Sequence, residues 1–338
     1  MTGPAAFRFR MGTHRDVPHC LAFLPRAFRA DASMRARLPE LWGRVLDGDA
    51  KTFAIVEDLE RPYPDGIEAY GLSVFVSDRF AEAFRASPRP GLAAAIYERL
   101  LAGDDVLMTA AQLAKANATT GINIAALHFG LRNEDLADAR TAHALMAGSA
   151  AFYFFHGGWR INTIFNEVYG TQAARFMEAG GFRLVHDYAR ESPGTFGGVP
   201  PGHMPYLFML CREWVEPGAI NPLSQLFFAP APRIGFSAAE RRVLERALLT
   251  EADPQIAASL GVSADSVKKT WRNIYDRTKR RAPFLLPAND SLSSGSRGQE
   301  KRRHLLGYLR THLEELRPFE PALGADRRDR SATKPGPP

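Results

Sequence analysis

Ser237–Thr278, SAAERRVLERALLTEADPQIAASLGVSADSVKKTWRNIYDRT, is the stretch on which the reading of this chain turns. It carries three helix starts in succession. Ser237 and Glu240 form an S-x-x-E capping box, in which hydroxyl and carboxylate each satisfy a backbone N–H that a first helical turn leaves without a partner. Asp253-Pro254 predicts an N-cap acid before a proline at the first helical position, where no N–H is needed. Ser263 predicts a third cap. It follows Gly261, which can take the left-handed conformation that ends the second helix.

The apolar spacing fits three short packed helices. Val243, Leu244, Ala247 and Leu248 form one stripe, Ile256, Ala257 and Leu260 a second, and Val267, Trp271, Ile274 and Thr278 a third. A tight glycine turn between the second and third is the mark of a helix-turn-helix. With the third stripe inward, Asp265, Lys268, Lys269 and Arg272 project outward together. Lys268, Lys269 and Arg272 are candidates for reading base edges in a major groove, where Lys and Arg favour guanine O6 and N7. Arg277, Lys279, Arg280 and Arg281 follow as candidates for phosphate contacts. The alternatives are an ordinary helical subdomain with a solvated face, and, for Trp271, base stacking in place of core packing.

The segment resembles the LuxR/FixJ-type DNA-binding domain. The residues that carry the resemblance are Glu240…Val243-Leu244, Gln255-Ile256-Ala257, Leu260-Gly261-Val262-Ser263 and Ser266-Val267-Lys268. It departs from the usual pattern at Thr270, where that family often has His, and at Arg277-Thr278.

Charge is distributed to match. Residues 233–338 hold 21 Lys and Arg against 13 Asp and Glu, net +8, whereas residues 1–232 hold 22 against 24, net −2. Basicity confined to one end points to a polyanionic partner there. The two cysteines, Cys20 and Cys211, lie far apart in apolar surroundings and read as reduced core thiols of a cytoplasmic protein. No signal peptide opens the sequence, and no window approaches the uncharged apolar run of a membrane span.

The N-terminal part alternates strands and helices. Phe7–Met11 predicts a first strand, and Asp16-Val17-Pro18 opens a helix running through Ala22, Leu24 and Phe28. A helix over Met34–Leu46 and strands at Lys51–Glu57 and Ala69–Val76 follow. Helices near Leu92–Leu101 and after Thr109 precede Ile122–Phe129, whose apolar density predicts a central strand. The order continues as helix Ala137–Phe155, strand Arg160–Val168, helix Thr171–Ala179, strand Phe182–Tyr188, a Gly/Pro-rich loop at Ser192–Pro205 and strand Tyr206–Cys211.

Asn166–Leu184, NEVYGTQAARFMEAGGFRL, resembles the closing helix–strand motif of GNAT acyltransferases, A-x-x-F-Y-E-x-x-G-F. The resemblance extends over Phe7–Cys211 and implies that family's fold. Its chemistry is not expected to follow. Members cradle an acyl-CoA pyrophosphate on a glycine-rich loop at a helix start. The corresponding connection here, Gly130-Leu131-Arg132-Asn133-Glu134-Asp135, lacks those glycines and adds two acids. The tyrosine that often serves as general acid corresponds to Met177. His128, His143, His156 and His203 show no metal-ligand spacing and are expected to be structural.

Together these readings predict an α/β fold, a GNAT-like mixed sheet with flanking helices, followed by a small all-α helix-turn-helix domain. The domain plan is a GNAT-like sensor domain at 1–215, a Pro-rich linker at 216–235, a LuxR-type domain at 236–286, a flexible linker at 287–299, a C-terminal amphipathic helix at 300–317 and a disordered tail at 318–338. Leu305, Leu306, Leu309, Leu313 and Leu316 give that last helix an apolar stripe, to pack on its own domain, to dimerise or to recruit a partner protein. The expected function is a cytoplasmic DNA-binding transcription regulator whose N-terminal domain serves as sensor or scaffold. The alternative is an acetyl-CoA-dependent N-acyltransferase fused to a DNA-binding module. Expected partners are double-stranded DNA, a second copy in a homodimer and, as an option, a small-molecule effector. No catalytic residue, metal, cofactor or membrane is expected.

Overall fold

The computed structural model describes residues 6–25, 28, 32–191, 199–215, 226–286 and 294–321. Residues 192–198 of the loop, 216–225 of the first linker, 287–293 of the second and 322–338 of the tail lie outside the described residues.

The chain forms two compact units. The first comprises residues 1–110, 122–157 and 161–229. Its elements in order are β1 (Phe7–Met11), α1 (Val17–Leu21), α2 (Ala32–Asp47), β2 (Lys51–Asp58), β3 (Ile67–Val76), α3 (Asp78–Ala86) and α4 (Leu92–Ala102). After α5 (Ala110–Ala118) come β4 (Ile122–Leu131), α6 (Ala139–His156), β5 (Ile161–Tyr169), α7 (Thr171–Ala179), β6 (Arg183–Asp187), α8 (Tyr188–Glu191) and β7 (Pro205–Cys211). The seven strands make one sheet in the order β1-β2-β3-β4-β5-β7-β6. Only β4 and β5 are parallel, the pair joined through the α6 crossover.

The sheet is covered on both faces. On one side α6 lies against β1 to β4, and Phe9 packs on Phe154 and Phe155 with ring centroids 5.7 and 6.4 Å apart. On the other, Trp42 of α2 is fully buried among Phe53, Tyr70 and His128. Burying an aromatic of this size stabilises by about 3 kcal/mol. The predicted elements form with ends shifted by a residue or two, with two differences. The helix expected from Asp16 to Phe28 ends at Leu21, where the chain tightens into Phe23 N–H to Cys20 C=O (3.2 Å) and Leu24 N–H to Leu21 C=O (3.5 Å) ahead of Pro25. At its start the Asp16 carboxylate turns back to Arg10 (2.7 and 2.8 Å) and to Thr13. Helix α3, capped by the Ser77 hydroxyl, and the four-residue α8 are additional to the expected elements.

The second unit comprises residues 111–121, 158–160 and 230–338. It contains most of α5 together with α9 (Ala238–Leu248), α10 (Asp253–Leu260), α11 (Ala264–Arg281) and α12 (Ser294–Leu309). The capping box forms as expected: Ser237 N–H donates to Glu240 Oε2 (2.7 Å), and Glu240 N–H donates to the Ser237 hydroxyl (3.3 Å). Gly261 ends α10 in the left-handed conformation, φ +64°. Val267, Trp271, Ile274 and Thr278 are buried, so Trp271 is a core residue.

Three local expectations change. Ala252, not Asp253, is the N-cap of α10, and Gln255 accepts from Ala252 N–H. The Asp253 carboxylate instead receives Trp271 Nε1–H (3.2 Å) and Arg302 (2.8 Å). Residues 294–299, expected as flexible linker, begin α12, and the helix stops at Leu309 rather than reaching Leu316. A separate 3-10 turn, Leu313–Leu316, follows. The turn satisfies buried charge: Glu315 accepts from Arg233 and Ile234 N–H, and Arg317 pairs with Glu245 at 2.9 Å. Within the same unit Asn117 of α5 donates to Pro318 C=O (2.9 Å) and accepts from Arg160 N–H (2.7 Å).

Candidate active site

The sheet opens in its middle. β4 and β5 pair only from Ile122↔Ile161 to Ala126↔Asn166. Beyond that point β4 runs on to Leu131 bonded to β3, and β5 runs on to Tyr169 bonded to β7, so a gap widens between them. The cause is local. Opposite Leu72 and Ser73, β4 places His128 and Ala126, leaving Leu127 as an extra residue. A bulge of this kind bends and twists the strand that carries it.

The bulge also sets which groups face the gap. Arg132 N–H donates to Glu68 C=O (2.8 Å), so the alternation of an antiparallel ladder gives Gly130 and His128 to β3 and turns the backbone N–H and C=O of Phe129 and Leu131 toward the gap. The Phe129 ring lies against Gly148 of α6 and is 42% exposed. His128 goes to the opposite face.

Helix α4 forms the floor of that face and holds one side chain from each parting strand. It begins after Gly91, whose φ of +91° suits glycine and whose lack of a side chain leaves the helix start without a cap of its own. Glu167 of β5 supplies it: Oε2 accepts from Gly91 N–H (2.7 Å) and Leu92 N–H (3.2 Å). Oε1 accepts from the Tyr169 hydroxyl at 2.7 Å. The positive end of a helix favours a carboxylate in this place. Further along α4, the Tyr97 hydroxyl is 2.9 Å from His128 Nε2. Burial pushes the His128 imidazole down to about 3, so it is neutral at physiological pH. Tyr188 completes the face. It is 4% exposed, its hydroxyl has no hydrogen-bond partner among the described residues, and burial together with the nearby Glu167 pushes its phenol up.

A parted pair of parallel strands, a backbone edge with free direction toward the gap, a carboxylate and protonated phenols can together bind an extended chain and accept a proton from a nucleophile. None of these side chains was singled out from the sequence for chemistry, and His128 was assigned a structural role. Glu167 and Tyr169 sit inside the quoted NEVYG stretch, but their partners lie across the fold at Gly91, Leu92 and Tyr188. Met177 is buried, with its sulfur 3.4 Å from Asn166 Nδ2. Gly130 and Leu131, read as the start of a loop, belong to β4. His156, between Thr52 (3.1 Å) and Phe152 C=O (2.9 Å), is structural as expected.

The C-terminal candidates all lie on α11. Lys268, Lys269, Arg272, Lys279, Arg280 and Arg281 are exposed on it. Lys268 Nζ reaches Asp265 at 3.2 Å. Arg277 differs: its Nε donates to the buried Glu240 carboxylate at 2.8 Å, which ties α11 to the start of α9. Among the described residues no group of His, Cys, Asp and Glu could hold a metal, and no helix is long and apolar enough to cross a membrane.

No known family pattern matches the chain, and no curated protein does. Solved structures of similar fold do exist. An Arabidopsis thaliana NAA60 in complex with acetyl-CoA is 14% identical, covers 61% of this chain and 99% of its own, with a TM-score of 0.35. FeeM, an N-acyl amino acid synthase from uncultured soil microbes, is 10% identical over 61% of this chain and 90% of its own, TM-score 0.32. The spermidine/spermine N-acetyltransferase SpeG from Vibrio cholerae is 10% identical over 62% and 95%, TM-score 0.33. These likenesses concern the path of the chain, and no residue role is taken from them.

The gap itself corrects the expected function. The regulator was inferred from the Ser237–Thr278 stretch and the inert N-terminal domain from Met177 and the 130–135 connection, but the gap holds a carboxylate and phenols that the inert reading left out. The physical reason for the error is that loss of one phenol in sequence does not empty the gap. Tyr169 and Tyr188 bring phenols to it from other elements.

Proposed function

We propose that the protein is a cytoplasmic N-acyltransferase, moving an acyl group from a thioester to an amine, and that its C-terminal helices bind duplex DNA. The observation that carries the acyl-transfer reading is the gap between β4 and β5 with Glu167 on its edge. The thioester lies along the β4 edge, where N–H groups at Phe129 and Leu131 take its carbonyl oxygen and arm amides. The amine attacks the carbonyl carbon, a C–N bond forms and the C–S bond breaks. Glu167 receives the ammonium proton, and a phenol of Tyr169 or Tyr188 protonates the departing thiolate. The two reduced, buried cysteines are compatible with a cytoplasmic setting.

The test is release of free thiol from acetyl thioesters with a panel of amines, followed by mass measurement of the acylated product. No amine-dependent thiol release by the wild-type chain would overturn the assignment.

The DNA-binding reading, and the LuxR-like helix-turn-helix assignment with it, is supported by the exposed cations of α11 and by the net +8 of residues 233–338. Lys268, Lys269 and Arg272 are proposed to read bases, and Lys279, Arg280 and Arg281 to meet phosphates. Titration of labelled duplex at several salt concentrations tests it, since each phosphate neutralised steepens the salt dependence.

A further inference from the structure

The connection from β4 to α6 is where a diphosphate would meet a helix start in this sheet, and several of its backbone N–H groups are already engaged. Asp135 N–H donates to Asn133 Oδ1 (3.1 Å) and Ala137 N–H to Asp135 Oδ1 (3.0 Å). Thr141 donates to Asp138 Oδ2 through both its N–H and its hydroxyl, each at 2.9 Å. The hydrogen bond from Thr141 N–H holds the Asp138 carboxyl below the usual carboxylate range, so the helix start already carries an anion of its own. Glu134 and Asp135 add two more acids alongside.

The flanking cations are turned elsewhere. Arg132 donates to Ile67 C=O (2.6 Å) and Pro64 C=O (3.3 Å), and Arg140 pairs with Asp58 and with Glu68 (3.0 Å). A diphosphate brought here would meet engaged donors and a repelling carboxylate. The residues present do not fit the nucleotide end of coenzyme A. The β4 edge, by contrast, offers N–H and C=O groups at Phe129 and Leu131 to a chain of amides.

We infer that the donor is recognised through its acylated pantetheine arm alone, and that the adenosine diphosphate portion of coenzyme A contributes nothing to binding. The inference rests on the acyl-transfer reading above. The arm is common to free pantetheine thioesters and to phosphopantetheine groups, so the two sources present the same chemistry to the gap.

The experiment measures kcat/KM of the full chain with acetyl-pantetheine, acetyl-4′-phosphopantetheine and acetyl-coenzyme A at one amine concentration. The expected result is three values within about threefold of one another. A preference for acetyl-coenzyme A above about tenfold overturns the inference while leaving acyl transfer intact. No turnover with any donor removes the acyl-transfer reading and this inference with it. A combined variant, Glu134→Gln, Asp135→Asn and Asp138→Asn, retains an amide to cap α6 and removes the charge. It should raise acetyl-coenzyme A relative to acetyl-pantetheine by about tenfold. A ratio unmoved in that variant, with its fold intact by circular dichroism, counts against the carboxylates as the cause.

Discussion

The two regions singled out in this chain differ in how their chemistry is built. On α11 the cations lie along one exposed helical face, and spacing within a single segment brings them together. At the sheet gap the groups of interest come from four segments: Glu167 and Tyr169 from β5, Gly91, Leu92 and Tyr97 from the start and body of α4, His128 from β4 and Tyr188 from α8. A surface patch can be assembled by periodicity. A buried constellation needs the sheet order, a bulge and a helix crossing beneath.

The largest effect expected from this contrast is on stability. His128 has a folded value of about 3 against an ordinary value near 6.5, so it contributes stability that is complete above pH 6.5 and lost as pH falls toward 3. That loss amounts to about 5 kcal/mol over the window. The His128→Gln variant should lose that dependence while the C-terminal unit keeps its own, as read by denaturant midpoints at several pH values. If both proteins follow the same acid profile, His128 is not the group that titrates.

Next in size, Trp271→Ala should destabilise the helical unit by about 3–4 kcal/mol, because a buried indole and its contact with Arg302 are both lost. Duplex binding would fall with it, and acetyl transfer would not. Equal loss of both activities would show that the two regions do not act separately.

Glu167→Gln keeps a group that can accept from Gly91 and Leu92 but cannot take a proton. Acyl transfer should drop about a hundredfold while stability falls by only about 1 kcal/mol from the lost charge at the start of α4, and the ascending limb of its pH–rate profile should vanish. A variant with near-normal kcat would remove Glu167 from the chemistry.

Lys269→Ala or Arg272→Ala should each weaken a preferred duplex by about 1–3 kcal/mol, whereas Arg280→Ala should weaken all sequences alike. Selection from random duplexes distinguishes these, and unchanged preference in both recognition variants would argue for a solvated face. The smallest effect is Ser237→Ala, about 1 kcal/mol in the denaturant midpoint of the helical unit, since Glu240 keeps its bond to Ser237 N–H and to Arg277.

Much of the architecture was legible in order and type. Strand β1 and helix α7 fall where alternation and the glycine stop placed them, and the buried stripe of α11 is the one its spacing indicated. The misses share a cause. Asp16 and Asp253 both looked like helix caps, and in the fold both carboxylates turn to arginines outside their helices, Arg10 six residues away and Arg302 forty-nine. The Leu313–Leu316 turn likewise leaves the helical pattern to place Glu315 and Arg317 on partners more than seventy residues away. Arg277 was assigned to phosphate from its neighbours in a basic run, yet its partner is Glu240.

Sequence alone determined what depends on neighbours within a turn or two: helix starts and stops, which face of α11 is apolar, and the segregation of positive charge to one end. Tertiary structure alone decided the gap. Its opening depends on a one-residue mismatch between β3 and β4, and its carboxylate is held by the first N–H groups of a helix some seventy-five positions earlier in the chain. Hydrogen bonds of that span carry no local pattern, because what selects them is the direction in which folded elements point their unsatisfied groups.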